Sequence, residues 1–244
     1  FLYLHHNPAV SFFLLASLYA SLGVKQAAAA QVFQVTLTPT DDSDIDSAFP
    51  NNNYGSSGGV YVLNYYLASS RQIQGWLKFD ISSIPSGATI TSATLALILI
   101  YTRVNTDVGV YLASDNSWSE NSMTWNNAPR NSVSSSYTDS KSVTNSTTSY
   151  AWNVTPIVAA VNPTQNSVTL VLQPPSSQNL NINGWTVFYS KEGGGGSSRP
   201  SLTITYSYAS TSVSLSNSSI QYGSSVTIFA STDPVQTTGT MTLQ

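Results

Sequence analysis

Three aspartates stand at alternate positions in the segment TDDSDID, at Asp42, Asp44 and Asp46. Oxygen ligands at alternate positions are a pattern that calcium-binding loops use. The segment lacks the glycine and the glutamate that complete an EF-hand, so it is not that motif. On a strand the three carboxylates share one face and repel one another, which either a bound cation or solvent relieves. The pattern predicts a calcium site with Asp44 as its leading ligand, or the solvated start of a strand.

The stretch WSENSMTWNNAP, from Trp118 to Pro129, has a different chemistry. Aromatic rings stack on the apolar faces of sugars, while Asn and Glu side chains bond to sugar hydroxyls. One interpretation is a sugar-binding platform built on Trp118, with Glu120 and Asn126 as polar contacts. The other is an ordered loop over one end of the domain, in which Trp125 fills the core edge and Glu120 accepts backbone N–H bonds.

The two tryptophans of this stretch are expected to differ in burial. Thr124, Asn126 and Pro129 restrict the backbone around Trp125, which should be buried and structural. Trp118 lies among small polar residues and should keep an edge or face of its ring near solvent.

Cations that could hold an acidic sugar are few. The candidates are Arg71, Lys78, Arg103, Arg130, Lys141 and Lys191. Of these we expect Arg71 and Lys78 to contact the ligand. The net charge is −3 and the cations occur singly, so the chain lacks the basic patches that nucleic-acid binders carry.

Nucleophilic catalysis is not supported by the residue types. The chain has no cysteine, and its two histidines, His5 and His6, lie in the N-terminal apolar region. This excludes Ser-His-Asp and Cys-His arrangements and nearly all zinc chemistry. A glycosidase needs only two carboxylates, but none of the 11 acidic residues lies in a recognisable acid/base motif. We therefore predict that the chain is not an enzyme, and that any catalytic domain lies beyond Gln244.

The elements that position these residues are short strands. Short apolar or alternating runs are separated by Gly, Pro, Asn and Ser, and helical periods do not exceed two turns. The predicted strands are Val32–Leu37, Val60–Leu67, Ile73–Asp80, Ala93–Tyr101, Val108–Leu112, Tyr150–Val154, Val168–Leu172, Trp185–Tyr189 and Leu202–Tyr206. Thr155 and Pro156 predict one helical turn, as its N-cap and first residue. The pattern indicates an all-β jelly-roll sandwich.

Two terminal segments differ from this domain. Residues 1–30 hold an uncharged apolar run followed by KQAAAAQ, which predicts a signal peptide truncated at its N-terminus, or alternatively an uncleaved anchor. The sandwich is expected over residues 31–208, and residues 209–244 begin a second β-sandwich that is too short to be complete. Only 8% of residues are charged, against about 25% in an average domain, which favours an extracellular or cell-surface location.

Five motifs occur in a recognisable order along the chain. They are NNNYGSS, WLKFDISSIPSGATITSATLAL, WSENSMTWNNAP, WNVTPIV and FYSKEGGGGSSRPSLTITY. Together they resemble the DNRLRE domain, or carbohydrate-binding module family 96, from about Val35 to Tyr206. The resemblance implies a β-sandwich in secreted polysaccharide-degrading enzymes or surface proteins, with acidic or mixed polysaccharides as ligands of some members. The tail, QYGSSVTIFAS and TGTMTL, resembles bacterial Ig-like repeats, which act as spacers.

These observations favour a non-catalytic polysaccharide-binding module of a secreted or surface multidomain protein. A structural or adhesive stalk or filament subunit with Ig-like spacers is the alternative. The expected partner is a polysaccharide, with an acidic one favoured by the resemblance, and no membrane span is expected after signal cleavage. Calcium is the single cofactor considered. Trp125, Asp80 and Trp152 are the expected residues of the structural core, and Asp80 is also expected to cap the Ser-Ser-Ile-Pro turn.

Overall fold

A computed structural model describes residues 31–66, 71–162, 164–175 and 184–207, with side chains except at 64–66, and the backbone of three strands in the tail. The predicted signal peptide, residues 1–30, lies outside the described residues. The strands are β1 Val32–Leu37, β2 Asp41–Asp46, β3 Gly59–Tyr66, β4 Arg71–Asp80, β5 Thr89–Thr102, β6 Thr106–Ala113, β7 Asp139–Val143, β8 Ser149–Asn153, β9 Ser167–Gln173, β10 Gly184–Tyr189 and β11 Ser201–Ser207. Helix α1 spans Thr155–Val161. In the described part of the chain, no helix has the length and apolar character needed to cross a membrane.

Every predicted strand is present, and two further strands, β2 and β7, were not predicted. Both have polar sequences, DDSDID and DSKSV, that give no apolar alternation. The helix is present, but its N-cap is Val154 rather than Thr155. The Thr155 hydroxyl instead bonds to the Asn153 side chain and accepts the backbone N–H of Ala93.

The strands form one curled antiparallel sheet. Its order is β1-β11-β5-β10-β3-β4-β9-β6-β7, while β2 pairs with β4 and β8 pairs with β5. Strands β4 and β5 are long enough to pair with several neighbours, so the sheet turns back on itself around one apolar core. This confirms the predicted all-β sandwich.

The main core is filled by alternate residues of the strands. Leu77, Phe79, Leu95 and Ile204 are fully buried in it. Trp152 is also fully buried, and its ring N–H donates to the backbone oxygen of Val108 at 2.9 Å. Burying one such side chain contributes roughly 1.5–3 kcal/mol relative to leaving it exposed.

A second, smaller core lies on the opposite face of β4 and β9. It contains Ile45, Trp76, Tyr111, Ala113, Trp118, Met123 and Val171. Strand β4 contributes to both cores, because Trp76 points to the second core and Leu77 to the main one. The residues between β6 and β7 cover this second core, which places the WSENSMTWNNAP stretch against the sheet.

The tail contains a separate three-stranded antiparallel sheet. Its strands are β12 Thr211–Leu215, β13 Ser225–Thr232 and β14 Val235–Thr242. The expected Ig-like identity of residues 209–244 stays a prediction, because the side chains of this segment lie outside the described residues.

Candidate functional site

Residues 114–134, here called the tryptophan loop, connect β6 to the segment before β7. Its ends are joined by backbone hydrogen bonds from Ser114 to Ser132 and from Ser134 to Leu112. The Asn127 side chain accepts the N–H of Thr124 at 2.7 Å and donates to the oxygen of Ser122 at 2.9 Å. The loop is therefore ordered by its own backbone and amide side chains.

Trp118 is buried, and the expectation that its ring faces solvent is wrong. The side chain is 7% exposed, and its ring N–H donates to the Thr169 hydroxyl at 3.0 Å. Its ring meets that of Trp76 edge-on at 6.0 Å, and the Lys78 ammonium lies 4.7 Å from its centroid. A ring covered in this way cannot offer a face to a sugar.

Trp125 is partly exposed, and the expectation that it is buried is also wrong. It packs against the margin of the second core. The guanidinium of Arg130 lies 4.1 Å from its ring centroid. Trp125 therefore belongs to the surface of the loop, and Trp118 to its buried base.

The aspartates of β2 are not the solvated start of a strand. Asp42, Asp44 and Asp46 are only 1%, 3% and 2% exposed. They share the face of the sheet that carries Leu77, the partner of Asp42 in the antiparallel register. Three carboxylates therefore lie at the edge of the main core.

Each of these aspartates has a different partner. Asp46 binds the Arg71 guanidinium through both oxygens. Asp44 accepts the backbone N–H of Tyr61 at 3.3 Å, and Asp42 accepts that of Lys191 at 2.7 Å. The predicted calcium ligands thus face separate neighbours rather than one another.

Asp42 instead lies with two glutamates. We call Asp42, Glu120, Lys191 and Glu192 the Lys191 cluster. Oxygen atoms of its three acidic residues lie within 4.8 Å of one another. Glu120 accepts the N–H of Asp42 at 3.0 Å and binds the Lys191 ammonium at 2.7 Å. This oxygen donor set suits calcium, but the Lys191 ammonium already contacts both glutamates, so an ion would compete with it.

Burial changes the proton affinity of these groups. It raises the pKa of the Asp44 carboxyl to about 7, and it also raises the pKa of Asp42. Burial lowers the pKa of Lys191, but the hydrogen bonds with Glu120 and Glu192 outweigh it and raise that pKa overall. The cluster is therefore held by a lysine that stays charged.

The other predicted ligands are also engaged within the fold. Lys78 pairs with Asp41 at 3.1 Å and donates to the oxygen of Trp118, while Arg71 is held by Asp46. Asp80 is exposed, so its expected place in the core is wrong, although its carboxylate does cap the turn through the N–H of Ser82.

A polar groove of about 520 Å³ lies along the tryptophan loop, and Arg130, one of its lining residues, contacts the ring of Trp125. Its lining residues are Ser114, Asp115, Asn126, Ala128, Pro129, Arg130, Asn131 and Ser132. We call it the Arg130 groove. Asn126, a predicted ligand, is exposed here and its amide donates to Asn51 at 2.8 Å. Among the described residues, Arg130 has no carboxylate partner.

No sequence pattern distinguishes Arg130 from the other cations. It was one of six candidate cations, and only a short 3-10 turn beginning at Arg130 brings its guanidinium back over Trp125. The position of this pair depends on how the loop folds over the second core.

The comparison with curated proteins found no match. The family model for carbohydrate-binding module family 96 matches residues 33–206, which is more than half of the 244-residue chain. That range begins in β1 and ends in β11, and it includes the tryptophan loop. The chain therefore belongs to carbohydrate-binding module family 96.

Proposed function

We propose that the chain is a non-catalytic polysaccharide-binding module of an exported multidomain protein, and that its ligand lies in the Arg130 groove. The observation that carries this proposal is the partly exposed Trp125 ring, which the Arg130 guanidinium contacts at the border of a groove lined by amides and hydroxyls. Membership of a carbohydrate-binding module family supports the ligand class. The low charge content of 8% supports export.

The groove has the chemistry that sugar binding requires. A sugar ring can pack against the exposed part of Trp125, and its hydroxyls can bond to Asn126, Asn131 and Arg130. The ring of Trp125 is already held by the second core and by Arg130, so little side-chain freedom is lost on binding.

The arrangement of carboxylates favours binding without catalysis. Asp115 is the one acidic residue in the groove lining, whereas glycoside hydrolysis commonly uses two flanking carboxyl groups. The acidic residues that the fold does bring together, Asp42, Glu120 and Glu192, bind Lys191 and backbone N–H groups and do not line the groove.

Isothermal titration of the full chain against a panel of neutral and acidic polysaccharides tests the proposal. We expect Trp125→Ala and Arg130→Gln each to weaken binding about tenfold, the loss typical of a central contact residue. Tyr137→Ala and Arg199→Gln are matched controls, since both residues are exposed and neither lines the groove. Unchanged affinity in both groove variants would remove the groove as the site.

A further inference from the structure

A second aromatic surface lies on the outer face of β3, β10 and β5. The strand register places Val187 of β10 opposite both Tyr61 of β3 and Tyr101 of β5. Residues directly opposite in antiparallel strands share one face of the sheet. The two tyrosines therefore flank Val187 across three adjacent strands.

This face points away from the main core. Val60, Val62 and Phe188, the neighbours of Tyr61 and Val187 along their strands, are all buried in the main core. Side chains alternate between faces along a strand. Tyr61 is accordingly 37% exposed, and Val187, 6% exposed, forms the floor beside it. In β5 the pairing register shifts by one residue between Leu99 and Tyr101, which places Tyr101, 43% exposed, on this outer face as well.

A cation borders the same surface. Trp185 lies two residues before Val187 and so shares its face, and the Arg103 guanidinium is 5.3 Å from the Trp185 ring centroid. The backbone N–H of Arg103 donates to the oxygen of Trp185 at 3.0 Å, which fixes the segment after β5 against β10. Among the described residues Arg103 has no carboxylate partner, and its side chain is exposed. We call Tyr61, Tyr101, Arg103, Trp185 and Val187 the tyrosine face.

We propose that the tyrosine face is a second polysaccharide-binding site, and that it takes chains carrying carboxylate or sulfate groups. The inference rests on the proposed carbohydrate-binding function but uses none of the groove residues. Tyr61 and Tyr101 are two strand spacings apart, roughly 9.5 Å, so two separate sugar rings of one extended chain can contact them. Arg103 supplies the charge complement to an anionic group, which its planar guanidinium can hold through two hydrogen bonds.

The aromatic residues of the tyrosine face lie on β-strands, whose backbone is more restricted than that of a loop. Tyrosine and tryptophan offer a large contact area with few rotatable bonds, so ordering them on binding costs little entropy. With the Arg130 groove, the face would give the module two contact surfaces for one long polymer, and linked contacts strengthen overall binding by raising the effective concentration.

The test uses charged and uncharged forms of the same polymers. Polygalacturonate is compared with its methyl ester, and dextran sulfate with dextran, by isothermal titration against the full chain and its variants. We expect binding to at least one anionic polymer, weaker binding to its neutral counterpart, and loss of affinity as salt increases. Tyr101→Ala should weaken anionic binding at least about fivefold, and Arg103→Gln should remove the preference for the charged form.

Tyr137→Ala and Arg199→Gln are again the controls, and Trp125→Ala is titrated in parallel. The inference is overturned if neither anionic polymer binds, if charged and neutral forms bind equally, or if Tyr101→Ala and Arg103→Gln leave affinity unchanged. Loss of affinity in Trp125→Ala alone would support the groove and reject the tyrosine face. Loss only in the variants of the face would support the face and reject the groove.

Discussion

The two halves of the tryptophan loop differ in what lies beneath them. Residues 118–123 lie over β4 and β9, where Trp76 and Thr169 enclose the ring of Trp118. Residues 124–132 lie at the margin of this second core, so Trp125 packs against it but keeps a part exposed, with the Arg130 guanidinium 4.1 Å from its ring centroid. The same residue type, seven positions apart, is buried in one half and partly exposed in the other, because Trp76 and Thr169 enclose only the ring of Trp118.

This difference in burial predicts that removing each ring lowers the free energy of unfolding by a different amount. Trp118→Ala should destabilise the fold by about 3–5 kcal/mol, because it empties a buried site and leaves the Thr169 hydroxyl without its donor. Trp125→Ala should cost about 1 kcal/mol, since its ring is already partly in solvent. Urea unfolding followed by circular dichroism measures both values. Equal losses, or a larger loss for Trp125→Ala, would contradict the assignment of the two halves.

The buried carboxyl group of Asp44 predicts that the stability of the fold depends on pH. The pKa of Asp44 is about 7 in the folded protein and near 3.8 when unfolded. The folded state therefore binds this proton more tightly, so the stabilisation is complete below pH 3.8 and is lost as pH rises through 7. Between pH 5 and pH 8 the fold should lose about 2–3 kcal/mol from this group.

Thermal unfolding at a series of pH values checks this expectation, with Asp44→Asn as the comparison. The amide cannot ionise, so the variant should lose less stability than the wild type between pH 5 and pH 8. Asp80→Asn is the control, because Asp80 is exposed. Greater wild-type stability at pH 8 than at pH 5 would contradict this expectation, because ionisation of Asp44 would then not destabilise the fold.

The smallest expected effect concerns calcium and the Lys191 cluster. Lys191→Met removes the ammonium that binds Glu120 and Glu192, leaving oxygen donors that suit a calcium ion. We expect calcium to stabilise this variant more than the wild type, by about 1.4 kcal/mol at a tenfold excess over Kd. Melting curves are measured for each protein with calcium and with chelator. Lys141→Met is the control, because Lys141 pairs with Asp139 and lies outside the cluster. A larger calcium shift in the wild type would mean that the ion displaces Lys191.

The fold was predictable where apolar alternation is strong and unpredictable where the chain is polar. The apolar sequence of strand β5 predicts its burial. Strand β2 resembles a solvated segment, because the groups that bind its aspartates, such as Arg71 and the N–H of Lys191, are distant in the sequence. The family resemblance located the module correctly. It could not show which of Trp118 and Trp125 is buried, because that depends on contacts with Trp76 and Thr169 from other strands.

The Lys191 cluster also has a consequence for the order of events in folding. Lys191 binds Glu120, 71 positions earlier in the chain, and its backbone N–H binds Asp42, 149 positions earlier. Contacts between such distant residues carry a high loop-closure cost and slow the folding of β proteins. A nascent chain that has not yet emerged beyond β10 lacks the partner that fixes Glu120. Lys191 must therefore have been synthesised and released from the ribosome before this part of the tryptophan loop reaches its final position.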